Sequence, residues 1–176
     1  MTMATKKFIY ILFSILVIST WVLGPAIQAG AETMKYKFYT WAIKGDMIPV
    51  ADVEGHMVGY VTRGAFYVFE NGEIATINQV GTGDLVKGSG PFMQYVTIKF
   101  EDGSTITIKS QGTLGGRAEG SGGSGGWTSE IIKGTGRFEG IKGTQSAKAK
   151  YLPIEKGEAG PKGYGAGTIT FTLPSK

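Results

Sequence analysis

The feature that most constrains this chain is a two-residue hydrophobic period, interrupted by Asp-Gly and Asn-Gly pairs. Thr97-Ile98-Lys99-Phe100-Glu101 and Ser104-Thr105-Ile106-Thr107-Ile108-Lys109 alternate apolar and polar residues on either side of Asp102-Gly103. Successive side chains of a strand point to opposite faces. Val96, Ile98 and Phe100 therefore share a face with Ile106 and Ile108, while Thr97, Lys99, Thr105 and Thr107 take the other. Asp-Gly between two such runs predicts a type I′ hairpin turn, whose two central residues both need positive φ.

The same signature recurs upstream, where Ala65 to Glu70 meets Asn71-Gly72 and Glu73 to Ile77 returns. Met34 to Ile43 is a long aromatic-rich strand carrying Tyr36, Phe38, Tyr39 and Trp41. His56 to Thr62 reads as another strand, leading through Arg63-Gly64 into the Phe66 run. Trp127–Ile132 and Arg137–Ile141 flank Gly134-Thr135-Gly136, Thr144–Leu152 continues the alternation, and Gly167–Leu173 closes the chain. No segment has the 3.6-residue period of an amphipathic helix beyond a turn or two. Two Gly-rich stretches punctuate the pattern. Residues 115–126 are low-complexity and expected to be a flexible loop; residues 157–167 carry Pro161 and Tyr164.

About eight sequential antiparallel strands must close into a barrel or split into a two-sheet sandwich to manage their edges. Short sequential hairpins favour an all-β, up-and-down barrel of about eight strands, calycin-like in form. Such a barrel is filled by side chains or is just wide enough for one small ligand. Its polar faces are too charged for lipid contact, and paired aromatic girdles on ten-residue strands are missing, so a membrane-spanning barrel is not expected.

The first 31 residues have a separate logic. Lys6 and Lys7 precede an uncharged apolar run from Phe8 to Leu23, then Gly24-Pro25 and Ala29-Gly30-Ala31. This is the pattern of a secretory signal peptide, with cleavage expected after Ala31. The competing reading is an uncleaved anchor, for which the run is short against the roughly 20 apolar residues of a membrane span. Cleavage leaves residues 32–176 as a single barrel domain, exported to the periplasm or medium. The leader holds two of the 18 basic residues and none of the 14 acidic ones, so the net charge falls from +4 to +2. The remaining basic residues are scattered, which argues against a nucleic-acid footprint. There is no cysteine, so neither disulfides nor thiolate chemistry enters.

The stretch Gly134-Thr135-Gly136-Arg137-Phe138-Glu139-Gly140-Ile141-Lys142-Gly143-Thr144 resembles the late-barrel hairpin of the allene oxide cyclase and dirigent-protein barrels and of their exported bacterial relatives. Phe69-Glu70-Asn71-Gly72-Glu73-Ile74-Ala75-Thr76 and Phe100-Glu101-Asp102-Gly103-Ser104-Thr105, followed by Gln111-Gly112-Thr113, sit at matching places. The resemblance implies a cup-shaped barrel with an apolar cavity that shapes a substrate without metal or organic cofactor. It also implies a possible homo-oligomer. It carries over no catalytic residue, because the matching stretches are structural. Taken on its own, the glycine motif supplies turns and bulges. A phosphate loop would need a following helix and a Lys-Ser/Thr pair, and neither is present.

Chemistry-bearing candidates are few. His56 is the only histidine, too few for a zinc-type ligand set in a chain without cysteine. No EF-hand spacing and no Gly-x-Ser-x-Gly elbow occur. His56, Arg63 and Glu70 are the candidates for acid–base work at a barrel mouth; the structural alternative is that His56 is a solvent-facing or hydrogen-bonded structural residue, Arg63 is solvated and Glu70 is a strand-end residue. Tyr36, Trp41, Tyr67, Tyr95 and Trp127 are candidates to line an apolar pocket with polar tips; each also suits a barrel core. Three functions follow: a binding barrel for a small apolar or aromatic molecule, a cofactor-free cyclase or isomerase using that cavity, or an interaction module with a filled barrel.

Overall fold

The computed structural model describes residues 30–116 and 122–175. Most of the expected leader and the centre of the first Gly-rich stretch lie outside the described residues. Eight antiparallel strands run in chain order: β1 (Glu32–Pro49), β2 (His56–Phe69), β3 (Ile74–Val86), β4 (Gly90–Phe100), β5 (Thr105–Gly115), β6 (Gly123–Thr135), β7 (Lys142–Tyr151) and β8 (Gly163–Thr172). Each pairs with the next, and β8 returns to β1 through Glu32–Phe171 to Thr40–Gly163. The sheet is therefore a closed up-and-down barrel, as the sequence pattern leads one to expect. Closure leaves no strand edge to be protected along most of the wall.

Alternation sorts the β4–β5 hairpin as the sequence predicts. Val96, Ile98, Phe100, Ile106 and Ile108 are buried, with Ile98, Ile106 and Ile108 wholly excluded from solvent. Burying one such side chain stabilises the fold by about 1.5–3 kcal/mol. The turn itself is not type I′. Gly103 N–H donates to the Phe100 carbonyl at 3.1 Å and Phe100 N–H to the Ser104 carbonyl at 3.0 Å, giving a three-residue loop. Only Gly103 has positive φ, at 81°. This is a type I turn closed by a bulge on its glycine, and the Asn71-Gly72 turn repeats it with Gly72 at 86°. Paired backbone bonds between Val86 and Ser89 close a two-residue turn at Lys87-Gly88, and there both residues have positive φ.

Three expected boundaries also move. The His56 and Phe66 runs form one strand of 14 residues. Gly123 to Gly126 belong to β6, paired with β5 and β7, because glycine backbone groups satisfy a ladder as well as any others. Gly136–Phe138 is a 3₁₀ turn, not the start of a strand.

The barrel has two unlike ends. At one, the turns after β2, β4 and β6 surround a plug of Phe69, Phe100, Phe138 and Phe171, backed by Ile77, Ile131, Ile141 and Ile169. Phe100 and Phe138 lie 4.8 Å apart between ring centroids. Arg137 covers this end. Its guanidinium sits 4.7 Å above both the Phe100 and Phe138 rings, and it pairs with Glu73 and Asp102. Arg137 thus packs on Phe138.

At the other end β1 and β2 run past the barrel. Pairing of β1 with β8 stops at Thr40–Gly163, whereas pairing with β2 continues to Pro49–Met57. A bulge between Ala42 and Lys44 marks the departure, and bulges bend strands at such rims. The segment 152–162 closes the remaining gap, with Leu152 N–H donating to the Lys162 carbonyl at 2.8 Å.

Candidate functional site

The barrel interior changes character along its axis. Above the phenylalanine plug, Tyr36 and Tyr67 stack at 4.2 Å with 9° between their planes. Gln145 donates its side-chain N–H to the Tyr36 hydroxyl, and the Ser129 hydroxyl bonds Gln145 Oε1 at 2.5 Å and Ser110 Oγ at 2.8 Å. All five are buried. Burial, and next the neighbouring Tyr67, pushes the Tyr36 phenol well above its usual value. Burial likewise pushes Tyr67 up to about 12. Both phenols are therefore neutral hydrogen-bonding groups across the physiological range, unsuited to act as bases.

Beyond this layer the next inward positions on four strands are polar. Thr40 on β1, Arg63 on β2, Gln79 on β3 and Gln94 on β4 form a polar row across four consecutive strands. Arg63 Nε donates to Thr40 Oγ1 at 3.2 Å, and Thr40 Oγ1 donates to the Gly64 carbonyl at 2.9 Å. Gln79, the register partner of Arg63, donates from Nε2 to Gln94 Oε1 at 2.6 Å. Thr40, Arg63 and Gln94 are each no more than 6% exposed. Charged and amide side chains at inward positions cost free energy unless they are hydrogen-bonded, so their grouping marks this level as something other than core.

Over the row lies a cavity of about 220 Å³. Apolar side chains make most of its wall: Met47, Val61, Leu85, Phe92, Met93 and Leu114. Arg63, Gln79, Gln94 and Tyr151 supply polar groups. The segment 152–162 roofs it with Ile154, Ala159, Gly160 and Pro161. Arg63 Nη2 donates to the Pro161 carbonyl at 2.6 Å, and its guanidinium lies 5.5 Å from the Tyr151 ring centroid. The Glu158–Lys162 ion pair stiffens the roof from outside, and Lys162 holds the Glu158 carboxyl below its ordinary value. Among the described residues no carboxylate and no imidazole lines this cavity.

The sequence candidates separate into three groups. Arg63 lines the cavity. Tyr36 and Tyr67 lie inside the barrel, in the layer between cavity and plug. Trp127 also points inward, with Phe38 and the cavity-lining Phe92 at 5.8 and 6.1 Å between centroids. Its indole N–H is buried and has no acceptor.

The other four are elsewhere. Trp41 is on the outer wall, 5.4 Å from Phe66. Tyr95 is 45% exposed, with Lys109 Nζ 5.9 Å from its ring centroid. Glu70 sits in the β2–β3 turn at the plugged end, its N–H donating to the Lys35 carbonyl at 3.0 Å. His56 occupies the outer rim of the open end, with Nδ1 2.6 Å from Asp52 Oδ1 and Nε2 2.7 Å from Asp84 Oδ1. The hydrogen bond to Asp52, then that to Asp84, raises its pKa. It ties the β1–β2 turn to β3 and does not face the cavity.

Gln79, Gln94 and Thr40 are not singled out by the sequence pattern. A signal is present all the same: Gln94 has the same parity as the buried Val96, Ile98 and Phe100, so it has to point inward.

A scan against protein-family models finds no match, and a search of curated proteins finds none. Solved structures do match. The chain is similar to the pterocarpan synthase dirigent protein PsPTS1, at a TM-score of 0.50 and 13% identity, over 85% of this chain and 100% of that one. A second, the pterocarpan synthase dirigent protein GePTS1, matches at a TM-score of 0.49 and 13% identity, over 86% of this chain and 94% of that one. The first likeness establishes the fold: this is a dirigent-like eight-stranded barrel.

Proposed function

We propose that this barrel binds a small apolar or aromatic molecule in the cavity at its open end. The observation that carries the reading is the cavity itself, walled by Met47, Leu85, Phe92, Met93 and Leu114 over a buried polar floor and under a chain-built roof. Concave, mostly apolar sites with a few placed polar groups are the usual form of small-molecule sites. The volume suits one ring or a short chain, being below the roughly 300–1,000 Å³ of drug-sized pockets.

A binding role is favoured over a cyclase or isomerase by the cavity's donors and acceptors. Arg63, two amides and Tyr151 orient a ligand, but proton transfer near neutrality calls for a carboxylate or imidazole at the reacting atoms. It is favoured over a filled interaction module by the open volume above the Tyr36–Tyr67 layer.

The leader pattern of residues 1–31 supports export, so the ligand would be met in the periplasm or outside the cell. N-terminal sequencing of the product should read Glu32 first; retention of Met1 would contradict export by cleavage. For binding, calorimetric titration with benzene, toluene and progressively longer alkylbenzenes is the direct test. The reading expects saturable binding of the smallest members, lost as the chain outgrows the cavity. No binding by any member would sink it.

A further inference from the structure

We infer that the outer wall of the barrel at β8, β1 and β2 docks onto an anionic lipid surface, with three exposed rings entering the headgroup layer and four lysines meeting its charge. This surface is separate from the cavity and does not depend on it. Its starting point is strand register. Tyr39 on β1 has Tyr164 of β8 as its partner on one side and Phe66 of β2 on the other. The three form one row across the wall, with neighbouring strands about 5 Å apart. Tyr164 is 50% exposed, Tyr39 43% and Phe66 48%. Val68, the partner of Lys37, extends the exposed apolar area. Trp41 packs against Phe66 and lies over Gly64, where a Cβ would come within 2.6 Å of the indole ring. Contiguous apolar area rimmed by polar residues marks an interaction surface.

Barrel closure sets cations beside these rings, although they are far apart in sequence. Lys37 and Lys148 both pair with Ala166 of β8, one on each side, which places their strands about 10 Å apart. Lys150 is the partner of Tyr164, and Lys35 of Thr168. All four lysines are exposed, and none is in an ion pair with a described residue. The outward positions of β7 and β8, of β1 from Lys35 to Trp41 and of β2 from Gly64 carry no Asp or Glu. Glu32 at the start of β1, Glu70 in the turn after β2 and Glu130 opposite Thr144 on β6 stand at the margins. Lysine stems keep their ammonium groups at headgroup level while tyrosine and tryptophan rings settle at the interface, and anionic lipid attracts each nearby lysine. The barrel then lies on the bilayer and does not span it. An acidic glycan is the competing partner. Its hydroxyls call for amide, carboxylate or guanidinium groups, which the outward positions of this face do not carry, and Phe66 and Val68 offer it no hydrogen bond. Self-association face to face would set lysine against lysine.

The test sediments the purified protein with vesicles of phosphatidylcholine alone or of phosphatidylcholine mixed with phosphatidylglycerol. The inference expects binding to the mixed vesicles that salt weakens, and affinity for the neutral vesicles at least about tenfold lower. Lys37→Gln combined with Lys148→Gln should weaken binding to the mixed vesicles about tenfold or more. Phe66→Ser should also weaken it, by removing a ring from the interface. Lys133→Gln combined with Lys156→Gln removes the same charge away from this face and should leave binding near wild type. All five side chains are exposed, so the variants keep the fold. Equal binding to the two kinds of vesicle, or an equal loss from the Lys133 and Lys156 pair, would overturn the inference. It would also be overturned by binding to alginate, an acidic polysaccharide, with none to either vesicle, or by self-association that Phe66→Ser abolishes in a protein that binds no vesicle.

Discussion

Arg63, inside the barrel wall, donates from Nη2 to the carbonyl of Pro161, 98 residues away in sequence, at 2.6 Å. The bond joins the rigid part of the molecule to the segment of the β7–β8 connection that covers the cavity. Arg63 therefore belongs both to the lining of the cavity and to the fastening of the roof above it.

Removing that fastening should loosen the roof before it loosens the barrel. Arg63→Met leaves the Pro161 carbonyl without its charged donor, a loss of about 1.5–3 kcal/mol for a hydrogen bond to a charged group. Faster amide exchange is expected at Leu152, whose N–H bonds Lys162 across the neck of the loop. The buried β4–β5 amides should keep their relative protection. Uniform acceleration throughout the barrel would contradict the fastening role.

Gly167 is required by close approach, not by its dihedral angles. A Cβ there would lie 2.3 Å from the Tyr36 hydroxyl and 2.8 Å from the Ser146 carbonyl. Gly167→Ala must displace either the stacked tyrosine or the β7 backbone, at a cost of about 1–3 kcal/mol. Gly103 provides the contrast: its φ is +81°, but a Cβ at that position would meet nothing within 4 Å. Gly103→Ala should cost only the left-handed strain, about 1 kcal/mol. Urea denaturation of the two variants measures the difference, and equal losses would show that the Tyr36 contact is soft.

His56 makes the rim of the open end sensitive to pH. Both ring nitrogens face carboxylate oxygens, at 2.6 and 2.7 Å, so both bonds are made only by the imidazolium. The folded pKa is raised by Asp52 first and Asp84 second. Stability from these bonds is fully present below the unfolded histidine value of about 6.5 and is lost as pH rises through the higher folded value. Asp52 works in the opposite sense. The His56 bond lowers its pKa, so its share is present above the ordinary aspartate value and is lost as pH falls through the depressed one. His56→Gln should therefore lower the urea midpoint near pH ~6, with the gap from wild type closing towards pH ~9. A gap that does not change with pH would contradict the imidazolium bridge.

How much of this can be read in the sequence depends on what each residue packs against. Ile98, Phe100, Ile106 and Ile108 fill the core, so they alternate with polar residues and the hairpin is legible directly. The turn at Asp102-Gly103 is legible in place but not in type, because a glycine with positive φ serves both a type I′ turn and a bulged type I turn. The stretch from Asn78 to Met93 carries no strand signal, although it holds most of β3 and the start of β4. Its inward positions on β3 are Gln79, Gly81, Gly83 and Leu85, and two of the four are glycines. Glycine and glutamine stand there because the wall faces a cavity and not a core. The cavity is thus hidden by the small and polar residues that leave it open. Gly123 to Gly126 escape for a related reason: glycines can pair in a ladder yet contribute no side-chain alternation. Trp41 and Tyr95 have the composition of pocket residues but fall on outward parity, which the register shows and aromatic character alone does not.

Filling the cavity from within its own wall separates a ligand site from an incidental void. Gly83 lines the cavity, and the nearest atoms to a Cβ there are those of the Leu85 side chain, none closer than 3.5 Å, an ordinary contact. Gly83→Phe should occupy the space that a single-ring ligand would take. Wild-type protein is expected to bind toluene saturably. Gly83→Phe is expected to fold with a melting temperature no lower than wild type and to lose that binding by tenfold or more, on the order of 1.4 kcal/mol. Undiminished toluene binding by a folded Gly83→Phe protein would contradict a ligand site in the cavity, because the ligand would then be held somewhere else.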